Sequence, residues 1–365
     1  MLEFRKRLLS KDKYEACAVF DVNNDGIPDI VSGAFWYEGP DYTRRHRICE
    51  VAAIGEYYDD FSDYPMDVDG DGGLDIITGS WFTETLRWRR NPGNQTDEWE
   101  TIDIDRCGNI ETIRFCDIDG CGVPEIFPNT PNEPQAFYKL IRDSDGKGMA
   151  KFQKVVIGEA PSGHGMGFVD INGDGRIDIV LNGGWLEQPI DLYQTPWTFH
   201  AEWSLGSASV PIIGHDVNGD GLVDLIVGQA HDYGLHWYEQ GRTEDGSRSW
   251  IRHIIDSSGS QFHDLCLVDL DLDGELELVT GKRYRAHNDG DPGAHDPIGL
   301  YYYRMNGGRF DKFIIDFGNA GEASGTGIYF WLQDLTGNGY PDIIAPGKDG
   351  LYLFENIGPV KEQTS

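Results

Sequence analysis

The chain has 365 residues and a formal net charge of −32, with 62 acidic against 30 basic side chains. That charge argues against nucleic acid and anionic membrane surfaces as partners, and no apolar run approaches the roughly 18–20 residues of a membrane-spanning helix. Glycine (47 residues) and the aromatics (17 Tyr, 17 Phe, 10 Trp) are abundant, a composition that suits many short strands joined by tight turns.

The first segment, "EFRKRLLS" (3–10), alternates apolar and polar residues as a half-exposed strand does. An acidic motif follows at Asp21, "DVNNDGIPDIVSG", ending in an apolar run. Next come an aromatic segment, "AFWYEGP" (34–40), and a second alternating segment, "TRRHRICE" (43–50). The acidic motif then recurs at Asp67, Asp117, Asp170, Asp216, Asp269 and Asp334, at intervals of 46, 50, 53, 46, 53 and 65 residues. Alternating and aromatic segments recur with it. A period near fifty residues with about four strands per unit predicts an all-β, seven-bladed propeller, one domain over 1–365. The last aromatic strand, "LYLFEN" (351–356), has no outer neighbour in its own unit. The N-terminal strand, Phe4–Leu9, is expected to supply it, so that the ring closes without an open edge.

Within each motif, oxygen-bearing side chains fall at positions 1, 3, 5 and 9, with glycine at 6. Glycine permits the sharp bend that lets positions 1, 3 and 5 converge, and hard oxygen donors in that number select Ca²⁺. The expected structural calcium ligands are Asp21, Asn23, Asp25 and Asp29; Asp67, Asp69, Asp71 and Asp75; Asp170, Asn172, Asp174 and Asp178; Asp216, Asn218, Asp220 and Asp224; and Asp269, Asp271, Asp273 and Glu277. Blades 2 and 6 carry four acids each. Cys121 in blade 3 and Thr336 and Asn338 in blade 7 weaken those copies. A solvated turn that needs no metal is the alternative. These motifs and their spacing resemble the FG-GAP/VCBS-type repeats of integrin-like propellers over nearly the whole chain. That resemblance implies the fold and leaves the function open, because such propellers serve adhesion as well as catalysis.

Function is expected on the opposite face. Six residues before each motif lie Glu15, Phe61, Glu111, His164, Val210, His263 and Ile328. The far ends of the second strands carry Trp36, Trp81, Trp185, His231 and Lys348. Blade 6 adds an insertion over 282–300, with Lys282, Arg283, Tyr284, Arg285, His287 and Asn288. Long loops on a rigid ring commonly carry function. His164, His231, His263, Tyr284, Arg283 and His287 are the candidate catalytic residues. Lys282, Arg285, Asn288, Trp36, Trp81, Trp185 and Lys348 are the candidate substrate contacts. His215 is expected to support its acidic loop, and His46, His200 and His253 to be solvated on outer strands.

Aromatic faces stack on sugar rings, Arg pairs with carboxylates, and His and Tyr move protons near neutral pH. The set suits β-elimination on a uronate-containing or keto sugar. A further divalent metal at the mouth is an alternative electrophile to Arg, with Glu15 and Glu111 as acids to help hold it. The segment "TGKRYRAHNDGDPGAHDPIGLYYY" (280–303) is similar to one in bacterial FG-GAP proteins grouped near carbohydrate lyases. That likeness points to the propeller part of aldos-2-ulose dehydratases and to rhamnose–glucuronate lyases, and it implies a lyase or dehydratase. Two other readings stand beside it: a non-catalytic glycan- or protein-binding propeller, and a glycoside hydrolase using two of Glu15, Asp60, Asp63, Glu111 and Asp232. No signal segment is recognisable in the sequence, so the expectation is a cytoplasmic protein, or a secreted or periplasmic one if a leader has been removed.

Overall fold

The computed structural model describes residues 1–93 and 98–360. Seven four-stranded antiparallel sheets stand around an axis, and each of blades 1 to 6 follows chain order from its inner strand outwards. In blade 5, for example, the order is Ile213–His215, Asp224–Gly228, Tyr233–Arg242 and Arg248–Ser260. Blade 7 is composite: Leu2–Ser10 pairs with Leu351–Pro359 as its outer strand. The expected closure is therefore present, and it runs the length of both strands.

The second strands are apolar on both sides because each is buried between its neighbours within the blade and between the adjoining blades. Asp75–Gly79, Glu125–Asn129 and Asp224–Gly228 are buried throughout. The core is a series of clusters between adjacent blades. One joins Phe127 and Phe137 of blade 3 to Met166, Ile179 and Leu186 of blade 4.

The motif turns each first strand into the second, and two of its acids hold the turn. The position-1 carboxylate accepts the position-6 glycine N–H in all seven blades, as in Gly26 to Asp21 at 2.7 Å. The position-9 carboxylate points inward and accepts the position-2 N–H in all seven. Where position 9 is Asp, its other oxygen takes an N–H from the end of the third strand, as in Gln240 to Asp224 at 2.8 Å. Asp29, Asp75, Asp178, Asp224 and Glu277, expected as metal ligands, thus serve as buried backbone pins.

Outer strands are tied across the seams between blades. Glu202 accepts from Trp185 of blade 4 and from Arg248 and Trp250 of blade 5. Asp256 of blade 5 accepts from Tyr303 and Lys312 of blade 6. Burial pushes both carboxyls up, but these donors outweigh it and hold each down at about 2.

Candidate metal centre in the central funnel

The acidic loops fall into two classes, and sheet register makes the comparison strict. The third-strand residue beside position 9 is Glu38, Arg90, Lys139, Glu187, Glu239, Arg304 and Glu355 in blades 1 to 7. Position 3 is Asn, Asp, Asp, Asn, Asn, Asp and Thr in the same order. Every Asp faces a base, and every neutral residue faces Glu. Arg90 reaches Asp69 at 2.6 Å, and Lys139 and Arg304 pair with Asp119 and Asp271. In blades 4 and 5 the Asn amide instead donates to the Glu, at 3.3 and 3.2 Å.

The converging carboxylates of blades 2 and 6 are Asp67, Asp69 and Asp71, and Asp269, Asp271 and Asp273. These are the loops in which an arginine already sits on the position-3 acid.

The Glu of blades 1, 4 and 5 accounts for the outer-strand histidines. His46, His200 and His253 bond Glu38, Glu187 and Glu239 at 2.7–2.8 Å. Each also stacks on a tryptophan, Trp36, Trp185 or Trp237, at 4.1–4.4 Å. They are clamps rather than solvated side chains. Trp36 and Trp185 are correspondingly buried within their blades, away from the mouth.

On the opposite face, the starts of three inner strands and the end of one second strand bring Glu111, His164, His231 and His263 together. One ligand atom from each lies within 4.8 Å of all the others. His164 Nε2 is 3.1 Å from His231 Nε2 and 3.7 Å from Glu111 Oε1, and His263 Nε2 is 2.9 Å from Glu111 Oε1. Donors about 2.1 Å from one ion stand about 3.0 to 3.4 Å apart.

The outer ring nitrogens fix the tautomers. His164 Nδ1 lies 2.6 Å from the Ala208 carbonyl, which can only accept, so this nitrogen carries the proton. His231 Nδ1 donates to Asp291 at 2.9 Å. Both Nε2 atoms then present lone pairs to each other, which repel unless a proton or a metal ion lies between them. Burial holds the imidazoles of His231 and His263 below their ordinary values, disfavouring the protonated form. Burial pushes Glu111 up, yet His164, His263 and Arg283 hold it well below the usual carboxylate range. Neutral imidazoles, an ionised carboxylate and outer hydrogen bonds on two rings are what a d-block ion requires.

The cations expected to meet substrate are committed elsewhere. Arg283 is buried, with Nε on Glu15 at 3.1 Å and Nη1 on Glu111 at 2.9 Å. Lys282 donates to the Gly293 and Asp296 carbonyls and so ties down the insertion. Arg285 pairs with Asp289 and Glu56, and Lys348 donates to the Arg285 carbonyl. Tyr284 lines a separate surface recess with Arg285, Lys348 and Glu56.

A cavity of about 180 Å³ adjoins the cluster, lined by Tyr57, Phe61, Trp81, Phe82, Glu111, Arg283, His287 and Asn288. Trp81, His287 and Asn288 stand where the sequence places them, at the mouth. Phe82, next to Trp81 just past the end of the same strand, joins them; Tyr57 and Asp291 were not foreseen. Tyr57 belongs to a small hairpin, Ala53–Ile54 with Tyr57–Tyr58, between blades 1 and 2. Asp291 lies in the insertion and holds both His231 and His287, the latter at 2.8 Å. The spacing of two histidines and an aspartate in the blade-6 segment was the only signal for it.

Residues 67–127 and 216–280 match the FG-GAP-like repeat family. The chain is thus a seven-bladed β-propeller that carries FG-GAP-like repeats. Two curated relatives, from Plasmodium yoelii yoelii and Plasmodium falciparum (isolate 3D7), are each named T-cell immunomodulatory protein homolog. They are 26% identical over 140 and 138 residues, 33% of this chain in each case. The matches span 20% and 19% of those relatives, about a fifth of their length. Neither name refers to a lyase or to carbohydrate. The crystal structure of the V. cholerae biofilm matrix protein Bap1 is similar at TM-score 0.45 and 12% identity, covering 98% of this chain and 92% of that one. At that distance it carries no functional information.

Proposed function

We propose that this propeller is a metal-dependent carbon–oxygen lyase acting on an acidic or keto sugar, with the ion held by Glu111, His164, His231 and His263. The observation that supports it is the facing pair of Nε2 lone pairs, 3.1 Å apart, beside a cavity walled by aromatic rings. A divalent d-block ion held by these four residues would supply Lewis acidity to a sugar carbonyl or carboxylate oxygen and so acidify the neighbouring C–H. Trp81, Phe61 and Phe82 offer faces for the ring. His287 donates an Nδ1–H hydrogen bond to Asp291, which leaves Nε2 free to take the carbon-bound proton. Tyr57, whose hydroxyl is buried and whose burial raises its pKa, keeps its proton for the leaving oxygen. The C–H and C–O bonds break, C=C forms, and the two protons move to His287 and from Tyr57. Arg283 acts beneath the site, holding Glu111 in place. The calcium sites fit best in the loops of blades 1 and 5, where no base is paired with a loop carboxylate; in blade 4 Arg176 takes Asp174.

The test is ultraviolet absorbance on uronate glycans and keto sugars with protein stripped of metal and reloaded. A conjugated product that needs the ion and is lost in His287→Ala and Tyr57→Phe supports the reading. Tight sugar binding with ligand recovered unchanged would support a non-catalytic binding propeller instead, the reading that the names of the curated relatives favour. Hydrolysis by a carboxylate pair is disfavoured because Glu15 and Glu111 are both engaged by Arg283.

A further inference from the structure

The blade-6 insertion lies across the mouth, and its backbone is under strain. Four non-glycine residues within five adopt positive φ: Arg285 at 54°, His287 and Asn288 at 50°, and Asp289 at 70°. Left-handed backbone is unfavourable for such residues and persists only where surrounding contacts impose it. Those contacts lie at two ends. At the outer end Arg285 bonds Glu56 on the small hairpin, and half of that pair is exposed to solvent. At the inner end Asp291 is nearly buried. One of its oxygens takes His231 Nδ1 at 2.9 Å and the other takes His287 Nδ1 at 2.8 Å. The two imidazoles stack at 4.3 Å, and Gln261 also reaches Asp291, at 3.3 Å.

Asp291 therefore belongs to two structures at once. It is the outer-sphere carboxylate of a candidate metal ligand, and it is the inner anchor of the loop that covers the cavity. Resting on the reading of Glu111, His164, His231 and His263 as a metal centre, we propose that Asp291 is a positioning residue that couples ion binding to closure of residues 284–297. With the loop down, His231 is locked in the tautomer that presents Nε2 to the ion, and His287 is held at the cavity. With the loop up, His231 loses that lock and its basicity as a ligand falls. Linkage makes the effect reciprocal: whatever favours closure tightens the ion, and the ion favours closure. Ion, lid and the proton-accepting His287 then assemble as one unit.

The experiment uses the full chain, stripped with chelator and titrated with Co²⁺. The visible absorbance of the Co²⁺ site gives affinity, and amide hydrogen exchange of 284–297 gives closure. Co²⁺ is expected to slow exchange in the loop about tenfold or more. Asp291→Asn should lower Co²⁺ affinity about 10- to 100-fold and abolish ion-dependent protection. Arg285→Gln touches no donor atom, so any loss of Co²⁺ affinity there comes through the loop; a loss of up to about fivefold is expected from breaking a partly exposed pair. Wild-type protein that binds no Co²⁺ would overturn the metal centre and the coupling together. Binding without loop protection, or native affinity in both variants, would overturn the coupling alone.

Discussion

On the loop face, seven blades repeat one construction: a position-1 carboxylate on a glycine N–H and a position-9 carboxylate buried against the backbone. On the funnel face, the equivalent positions hold Glu15, Phe61, Glu111, His164, Val210, His263 and Ile328, and only some of these meet. The loop face therefore carries the ring, and the funnel face was free to diverge. A change on one face should leave the other almost untouched, because a full strand length of packed sheet separates them.

The sharpest break of that contrast is at the funnel. His263→Ala or His164→Ala removes one of four ion donors and should weaken Co²⁺ binding by at least about 100-fold, while circular dichroism and urea unfolding midpoint change little. On the loop face, Asp224→Ala strips two buried N–H groups of their acceptor. Urea unfolding should show a loss of about 3 kcal/mol, with the Co²⁺ spectrum intact. A finer division lies within the loop face. Arg90→Gln frees Asp69 in blade 2 and should raise Tb³⁺ binding to that loop about tenfold, one like-charge removal being worth about 1.4 kcal/mol at close range. An unchanged luminescence titration would show that Arg90 does not guard the loop. The smallest effect belongs to the seams. Glu202 and Asp256 have folded-state pKa values depressed to about 2, so their stabilisation is complete above the ordinary carboxylate range and is lost as pH falls through about 4 to 2. Glu202→Gln should flatten the acid limb of a stability-against-pH curve and leave the neutral region nearly level.

The architecture was legible because it repeats: a seven-fold motif with fixed partners leaves few alternatives, and the register that predicted strand pairing also aligned Glu111, His164 and His263 at one height. The rest was hidden for two physical reasons. Side chains at a strand end alternate between faces, so Trp36 and Trp185 turn into their blades although they neighbour the mouth in sequence. The insertions, in turn, obey no register. Nothing in a repeat comparison tells that Asp291 reaches His231, or that Tyr57 and Glu56 cross from the hairpin between blades 1 and 2 to meet the blade-6 loop. Lys282 and Arg283 look like a solvated or substrate-facing basic turn; their actual partners are carbonyls of the insertion and two carboxylates brought in from blades 1 and 3.

The clasp in blade 7 has a mechanical consequence. Arg5 and Glu355 are paired across 350 positions of sequence, and Leu2 stands opposite Pro359. Pulled at those two ends, the ladder is loaded at one end only, so its bonds part in succession, like a zip, and do not share the load in shear. The ring should therefore yield at low force from this single seam, and the outer strand of blade 7 should peel first.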